Sequence, residues 1–260
     1  MASKLRRGSR IGKYRILRTL GSGGFAKVYL ARDEVEGRKV ALKVPHPSIG
    51  DSAADDLLKE VRISVRLDHP NILPIRNADM IDGRLVIAYP LCEETLGDRL
   101  KRRISAAGAL EMVESLLEAV AYAHSRRVIH CDINPHNVLI DASGVAKLAD
   151  FGIAKVAHRT QIAGSGSGTV GYLAPEQAMG QLSFRSDVFS VGLIAYRVFA
   201  GQLPKWPFKW PLEGHERLKR KLTPEAIAWI RKSIAVDDTK RYANGASMLR
   251  AYNRLPEVLR

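Results

Sequence analysis

Residues 128–152 read VIHCDINPHNVLIDASGVAKLADFG, and the rest of the chain is best understood outward from them. The stretch opens on His130-Cys131-Asp132, reaches Asn137 and closes on Asp150-Phe151-Gly152. Residues 137–140 and 145–148 are short apolar runs, separated by the turn-forming Asp141-Ala142-Ser143-Gly144. Apolar run, glycine-containing turn and apolar run is the pattern of a β-hairpin. A hairpin brings its outer ends together, so Asp132, Asn137 and Asp150 are expected in one pocket. Two carboxylates and an amide oxygen are hard ligands. They suit Mg²⁺, which takes one or two carboxylates and leaves its other positions to water and substrate phosphates.

At 260 residues and 46% hydrophobic, the chain can bury a large core. It lies near the size at which one core tends to divide in two. No apolar run approaches bilayer-spanning length, and residues 1–13 are basic and polar, so a cytoplasmic protein without a membrane segment is expected. Cys92 and Cys131 are the two cysteines, too few for a disulfide framework and without metal-ligand spacing. The net charge of +14 gathers at 4–13, 99–103, 126–127 and 217–221. A solvated surface is the plainest reading of these clusters, and an acidic protein partner is the next. Nucleic acid ranks last, because no aromatic platform and no nucleic-acid-binding signature accompanies the charge.

The quoted stretch resembles the catalytic and metal-binding loops of the protein kinases. Their pattern H-R-D-L-K-P-x-N, followed by D-F-G, stands here as H-C-D-I-N-P-H-N and D-F-G. Other stretches are similar to the same family. Strands are expected at 14–20 and 27–32, with Gly21-Ser22-Gly23-Gly24-Phe25-Ala26 between them. Strand–loop–strand is the context of the kinase loop that covers ATP phosphates, and Ala26 stands where the family has its third glycine. Val40-Ala41-Leu42-Lys43, on a strand at 38–45, matches V-A-I-K, whose lysine pairs with ATP phosphates and a helical glutamate. Glu60 is the expected glutamate, on a helix whose apolar stripe is Leu57, Val61 and Val65. A hairpin of 72–80 and 84–89 around Asp82-Gly83 completes a five-stranded sheet.

Residues 90–94 read as the connection to a second lobe, with either Ala88 or Tyr89 guarding the pocket behind adenine. A long helix follows at 107–127, on which His124 reads as a core residue. Residues 168–176 match G-T-x-x-Y-x-A-P-E, the close of a Ser/Thr-kinase activation segment, after a flexible loop rich in Gly, Ser and Thr. Asp187 is expected to brace the catalytic loop rather than cap its own helix, and Arg241 to pair with Glu176. Trp206, Phe208 and Trp210 are expected beneath the activation loop, with further helices at 224–234 and 243–252.

The resemblance implies an α+β, bilobal protein kinase fold, with a small five-stranded antiparallel sheet lobe carrying one main helix and a larger, mostly helical lobe. Residues 1–13 form a basic lead-in to a kinase domain over 14–260, divided into an N-lobe (14–89), a hinge (90–94) and a C-lobe (95–260). It also implies transfer of the ATP γ-phosphate to Ser or Thr hydroxyls of a protein substrate, with ATP and Mg²⁺ as cofactors. Asp132, Asn134, Lys43 and Glu60 would be catalytic, and Asn137 and Asp150 would hold the metal. ATP would meet Leu20, Gly21, Ser22, Gly23, Gly24, Phe25, Ala26, Val28, Ala41, Lys43, Tyr89 and Leu91.

Two letters depart from the pattern. Asn134 replaces a lysine that meets the γ-phosphate, so slow turnover is expected, and Asn134→Lys is expected to raise kcat about tenfold or more. Cys131 replaces an arginine that binds an activation-loop phosphate, so little dependence on loop phosphorylation is expected. The alternative reading is a nucleotide-binding pseudokinase acting as a scaffold or switch. The joint presence of Lys43, Asp132, Asn137 and Asp150 argues against it.

Overall fold

The computed structural model describes residues 5–24, 26–46, 51–151 and 170–259, without the side chains of 51–56, 60 and 170. The chain forms two compact units, Met1–Asp68 with Leu73–Cys92, and His69–Ile72 with Glu93–Arg260.

The first unit is an antiparallel sheet of β1 (Arg10–Ile11), β2 (Tyr14–Ser22), β3 (Ala26–Asp33), β4 (Arg38–Pro45), β5 (Asn77–Ile81) and β6 (Arg84–Pro90). Its strand order is β1-β2-β3-β4-β6-β5. Alternation along the strands explains the packing. Val40, Leu42 and Val44 join Tyr14, Ile16, Tyr29, Val86 and Ala88 in one core on one face.

The sheet has six strands, which corrects the expected five. The sixth comes from the basic stretch before Tyr14. Gly12 takes a left-handed φ of 52°, and the chain doubles back so that Ile11 pairs with Tyr14 and Arg10 with Arg15. Leu5 and Ile11 are buried in the same core, two apolar residues among charges. Strand β5 begins at Asn77 rather than 72. Pro74 has no N–H for a ladder, and Ile72 forms a parallel bridge with Leu148 in the second unit instead. Helix α1 (Asp51–Ser64) buries Leu57 but stops at Ser64, so Val65 is exposed rather than part of a buried stripe.

In the second unit, β7 (Glu94–Thr95), β8 (Val138–Ile140) and β9 (Ala146–Leu148) form a small sheet in that order. Asp141 shapes the β8–β9 turn. Its Oδ1 accepts from the backbone N–H of Ser143 (2.9 Å) and Val145 (3.1 Å), and Gly144 supplies the left-handed residue. Helix α2 (Leu96–Arg99) follows Thr95, whose hydroxyl accepts from the Asp98 N–H at 3.0 Å. Helix α3 (Ala106–Ser125) is capped by Ser105 and ends two residues earlier than expected, because Arg127 turns left-handed (φ 59°).

After the short α4 (Pro175–Ala178) comes α5 (Phe184–Ala200), the buried axis of this unit, with Phe189, Tyr196 and Phe199 fully inside. Helices α6 (His215–Lys219), α7 (Pro224–Ser233) and α8 (Gly245–Tyr252) complete the unit. Helix α8 meets α3 so closely that a Cβ on Gly245 would sit 2.8 Å from the Ala121 nitrogen and 2.9 Å from the Val120 carbonyl carbon. Glycine is therefore required there. In the aromatic loop, Phe208 packs on Phe189 and Trp210 on Tyr196, while Trp206 stays exposed. Any packing of these rings beneath residues 153–169 lies outside the described residues.

Candidate active site

The β8–β9 hairpin brings the expected cluster together in the second unit. The Asn137 carbonyl accepts from the Ala149 N–H at 2.8 Å, which places the residue before Asp150 beside the end of the catalytic loop. The Asn137 Nδ2 donates to the Asp132 Oδ2 at 3.0 Å and the Asp132 carbonyl at 2.9 Å. Burial raises the Asp132 pKa above its ordinary 3.8, and the Asp150 charge adds to this. The two asparagine amides pull the other way.

His130 joins the two halves of the motif. Its Nδ1 accepts from the Asp132 N–H (3.2 Å), so Nε2 carries the proton donated to the Ala149 carbonyl (2.7 Å). The ring also meets Phe151 edge-on, with centroids 4.7 Å apart. Cys131 and Asp150, one at each end of this linkage, hold left-handed φ values of 68° and 64°. Non-glycine residues in that region cost about 1–3 kcal/mol each and persist only where neighbours over-determine them.

Asp187 is one such neighbour. It lies inside α5 rather than at its start, because Ser183 caps the helix by accepting from the Arg185 N–H at 3.2 Å. Freed from capping, the Asp187 carboxylate accepts the N–H of His130 (2.7 Å) and of Cys131 (2.9 Å). The bracing expected from the sequence is therefore present. Its third donor was not foreseen. His124 Nε2 donates to Asp187 at 2.9 Å, while His124 Nδ1 accepts from the Gly245 N–H at 2.8 Å. His124 is buried, as expected of a core residue, but it works as a polar link from α3 to α5 and α8. A histidine on an apolar stripe carries no sign of this in the sequence.

Gln177 was also missed. It is buried, accepts from the Ala174 N–H at 3.1 Å and donates to the Cys131 carbonyl at 3.0 Å. The neighbouring Glu176 forms the expected fork with Arg241, at 2.8 and 3.0 Å, and also accepts from Ser186 Oγ at 2.8 Å. Burial pushes Glu176 up, but the Arg241 hydrogen bond and charge outweigh it and hold the carboxyl below its ordinary 4.5.

Asn134 does not point outward as a lysine substitute. It is buried, donating from Nδ2 to the Asp132 Oδ1 (3.0 Å) and carbonyl (3.1 Å), and its Oδ1 accepts from the His136 N–H (2.9 Å). A lysine could make the donor contacts but not the acceptor one, so the expected gain from Asn134→Lys loses its footing.

In the first unit, Gly21 pairs with Val28 and Ser22 with Lys27. The hairpin tip is tied by the Gly23 N–H to the Ala26 carbonyl (2.9 Å) and by His46 Nε2 to the Gly23 carbonyl (2.8 Å). Among the described residues, a Cβ on Gly21 or Gly24 would meet no atom within 4 Å, and one on Gly23 only the Ala26 carbonyl oxygen at 3.8 Å. The packing of the described residues therefore does not require these glycines. Leu20 is partly exposed, and Phe25 lies outside the described residues. Lys43 is buried on β4, opposite Val28 and Ile87, and Ala41 is opposite Tyr89. Register thus puts Tyr89 on the Lys43 face and Ala88 on the opposite core face, which separates the two candidates. Leu91 follows β6 and is partly exposed. Glu60 is on α1, but its side chain lies outside the described residues, as do Gly152 and the loop hydroxyls up to Thr169.

The family described as "Protein kinase domain" matches residues 14–249. The chain is 39% identical to the serine/threonine-protein kinase PrkC of Bacillus subtilis, covering 93% of this chain and 40% of PrkC. It is 37% identical to the DNA damage-responsive serine/threonine-protein kinase RqkA of Deinococcus radiodurans, over 74% of this chain and 30% of RqkA. The chain spans less than half the length of these curated relatives. Among solved structures, the Mycobacterium tuberculosis PknI kinase domain aligns with a TM-score of 0.72 at 26% identity, covering 96% of this chain and 99% of that one. With the motif geometry, these likenesses give one conclusion: the chain belongs to the protein kinase family, on the branch of the bacterial Ser/Thr kinases.

Proposed function

We propose that the protein transfers the γ-phosphate of ATP to Ser or Thr hydroxyls of a protein substrate. The observation that carries this reading is the Asp132 carboxylate, held between two amides with Asp150 close enough to shift its pKa. A scaffold that only bound nucleotide would have no use for a carboxylate oriented at both oxygens. Asp132 would orient the acceptor hydroxyl and receive its proton. Lys43 would hold ATP phosphates, paired with Glu60. The hairpin of Gly21 to Ala26 would give its backbone N–H groups to phosphate oxygens, a role supported by the open space at its glycines.

Asn137 spends its Nδ2 on Asp132, so its amide oxygen remains for a cation, and Asp150 is the second donor. Among the described residues, no group of three or more His, Cys, Asp or Glu side chains gathers to hold a metal alone. A carboxylate and an amide oxygen fit Mg²⁺, whose other ligands come from phosphate and water. When bound, Mg²⁺ neutralises charge on the phosphates. Register supports Tyr89 as the residue at the back of the adenine site. An acidic substrate would suit the net charge of +14. A cytoplasmic setting is in keeping with the finding that no helix among the described residues is long and apolar enough to cross a membrane.

The test is incubation with radiolabelled ATP, Mg²⁺ and a generic acceptor protein. Transfer should be lost in Asp132→Asn, and Mg²⁺-dependent nucleotide binding and transfer should both be lost in Asp150→Ala. ATP binding without transfer in the parent protein would favour the pseudokinase reading.

A further inference from the structure

We infer that Asn134 is a positioning residue for Asp132, one jaw of a two-amide clamp that fixes the plane of the carboxylate. The inference rests on the phosphoryl-transfer reading of this site. Asp132 Oδ1 accepts from Asn134 Nδ2 and Oδ2 from Asn137 Nδ2, both at 3.0 Å. The same two amide nitrogens donate to the Asp132 carbonyl, at 3.1 and 2.9 Å. Rotating the carboxylate about Cβ–Cγ therefore breaks contacts at both ends. The jaws are also tied to each other, because the Asn137 N–H donates to the Asn134 carbonyl at 3.0 Å.

The residue type matters at Asn134. Its side chain is both donor and acceptor at short reach, and its Oδ1 satisfies the His136 N–H at 2.9 Å. A lysine has three donors and no acceptor, so it would leave that N–H without its partner. An aspartate would keep the acceptor, lose the donor and set a second carboxylate against Asp132. An ionised carboxylate has about four lone-pair sites. The clamp occupies one on each oxygen and leaves each oxygen a free site for an incoming hydroxyl, in a fixed direction. Asn134 thus replaces a charge aimed at phosphate with a restraint on the group that aligns the acceptor.

Two independent readouts test this on the full chain. In the ¹⁵N-labelled parent, the Asn134 side-chain amide protons should be shifted and slow to exchange, and Asp132→Ala should return them to free-amide behaviour. An Asn134 amide that exchanges freely in the parent would overturn the clamp whether or not phosphate is transferred. In kinetics, Asn134→Asp should lower kcat about 10²-fold with KM for ATP little changed, the signature of a misaligned reacting group. Asn134→Lys should lower kcat as well, with thermal melting followed for each variant. A lysine variant that matches or exceeds the parent kcat would sink the inference and restore the missing-charge explanation. If Asn134→Asp fails to fold, the amide measurement decides, since it needs only the parent and Asp132→Ala. A protected Asn134 amide in a parent that transfers no phosphate would retire the kinase reading and keep the clamp.

Discussion

Gly24 separates what the fold needs from what the chemistry needs. A Cβ there meets nothing within 4 Å among the described residues, and its φ is not left-handed. Gly24→Ala should therefore leave the melting temperature unchanged or slightly higher, because alanine has less unfolded-chain entropy to lose. Affinity for ATP should fall, since the methyl group fills the space proposed for phosphate. Calorimetric titration with an ATP analogue, beside a thermal melt, gives both numbers, and unchanged affinity would count against the phosphate role. Asp187 shows the reverse case, a buried residue that holds two backbone N–H groups of the catalytic loop.

Helix α4 is tied to Arg241, ahead of α8, by the Glu176–Arg241 fork, whose dependence on pH follows from the charge on Glu176. The Glu176 pKa is lowered in the fold from an ordinary 4.5. Its contribution is complete above that value and is lost as pH falls through the lower folded pKa. The Arg241 side chain is fully buried, so removing its partner is costly. Glu176→Gln should destabilise the protein by about 3 kcal/mol at neutral pH. Urea melts of parent and variant should converge as pH drops below 4.5, and a constant gap would mean that charge is not what Glu176 contributes. The fork was legible in advance because A-P-E and Arg241 each stand at a recognisable place. The hairpin, the glycine loop and the Val-Ala-Leu-Lys strand were legible because period-two apolar runs and turn residues are local signals. What escaped was long-range or neutral. The basic stretch before Tyr14 hides two buried apolar residues, Leu5 and Ile11, and Gln177 looks like any polar helix residue. Asn134 read as an absence of charge because its acceptor role depends on the His136 backbone.

Across the whole molecule, Cys131 bears on how activity is set. Its N–H is held by Asp187 and its carbonyl by Gln177, so this part of the loop is positioned by internal bonds without a phosphate. Activity should then depend little on phosphorylation of the 152–169 segment, which lies outside the described residues. Phosphatase treatment, checked by mass spectrometry, should leave initial rates within about tenfold of the untreated protein, because no arginine precedes Asp132 to read the phosphate. A larger drop that autophosphorylation reverses would refute this.

The brace on the catalytic loop also sets an order of events during synthesis. Asp187 lies 57 residues beyond His130, and Gly245 lies 121 residues beyond His124. Contacts so distant in sequence close late, since each must overcome the entropy of the intervening chain. On a ribosome, every proposed catalytic side chain has been made by the time Asp150 is added. The carboxylate that straightens their loop comes next, and the backbone N–H that orients His124 comes nearly a hundred residues after Asp150. A nascent chain halted before α8 would hold all the reactive groups and lack their geometry. Catalytic competence would thus trail the synthesis of the catalytic side chains themselves.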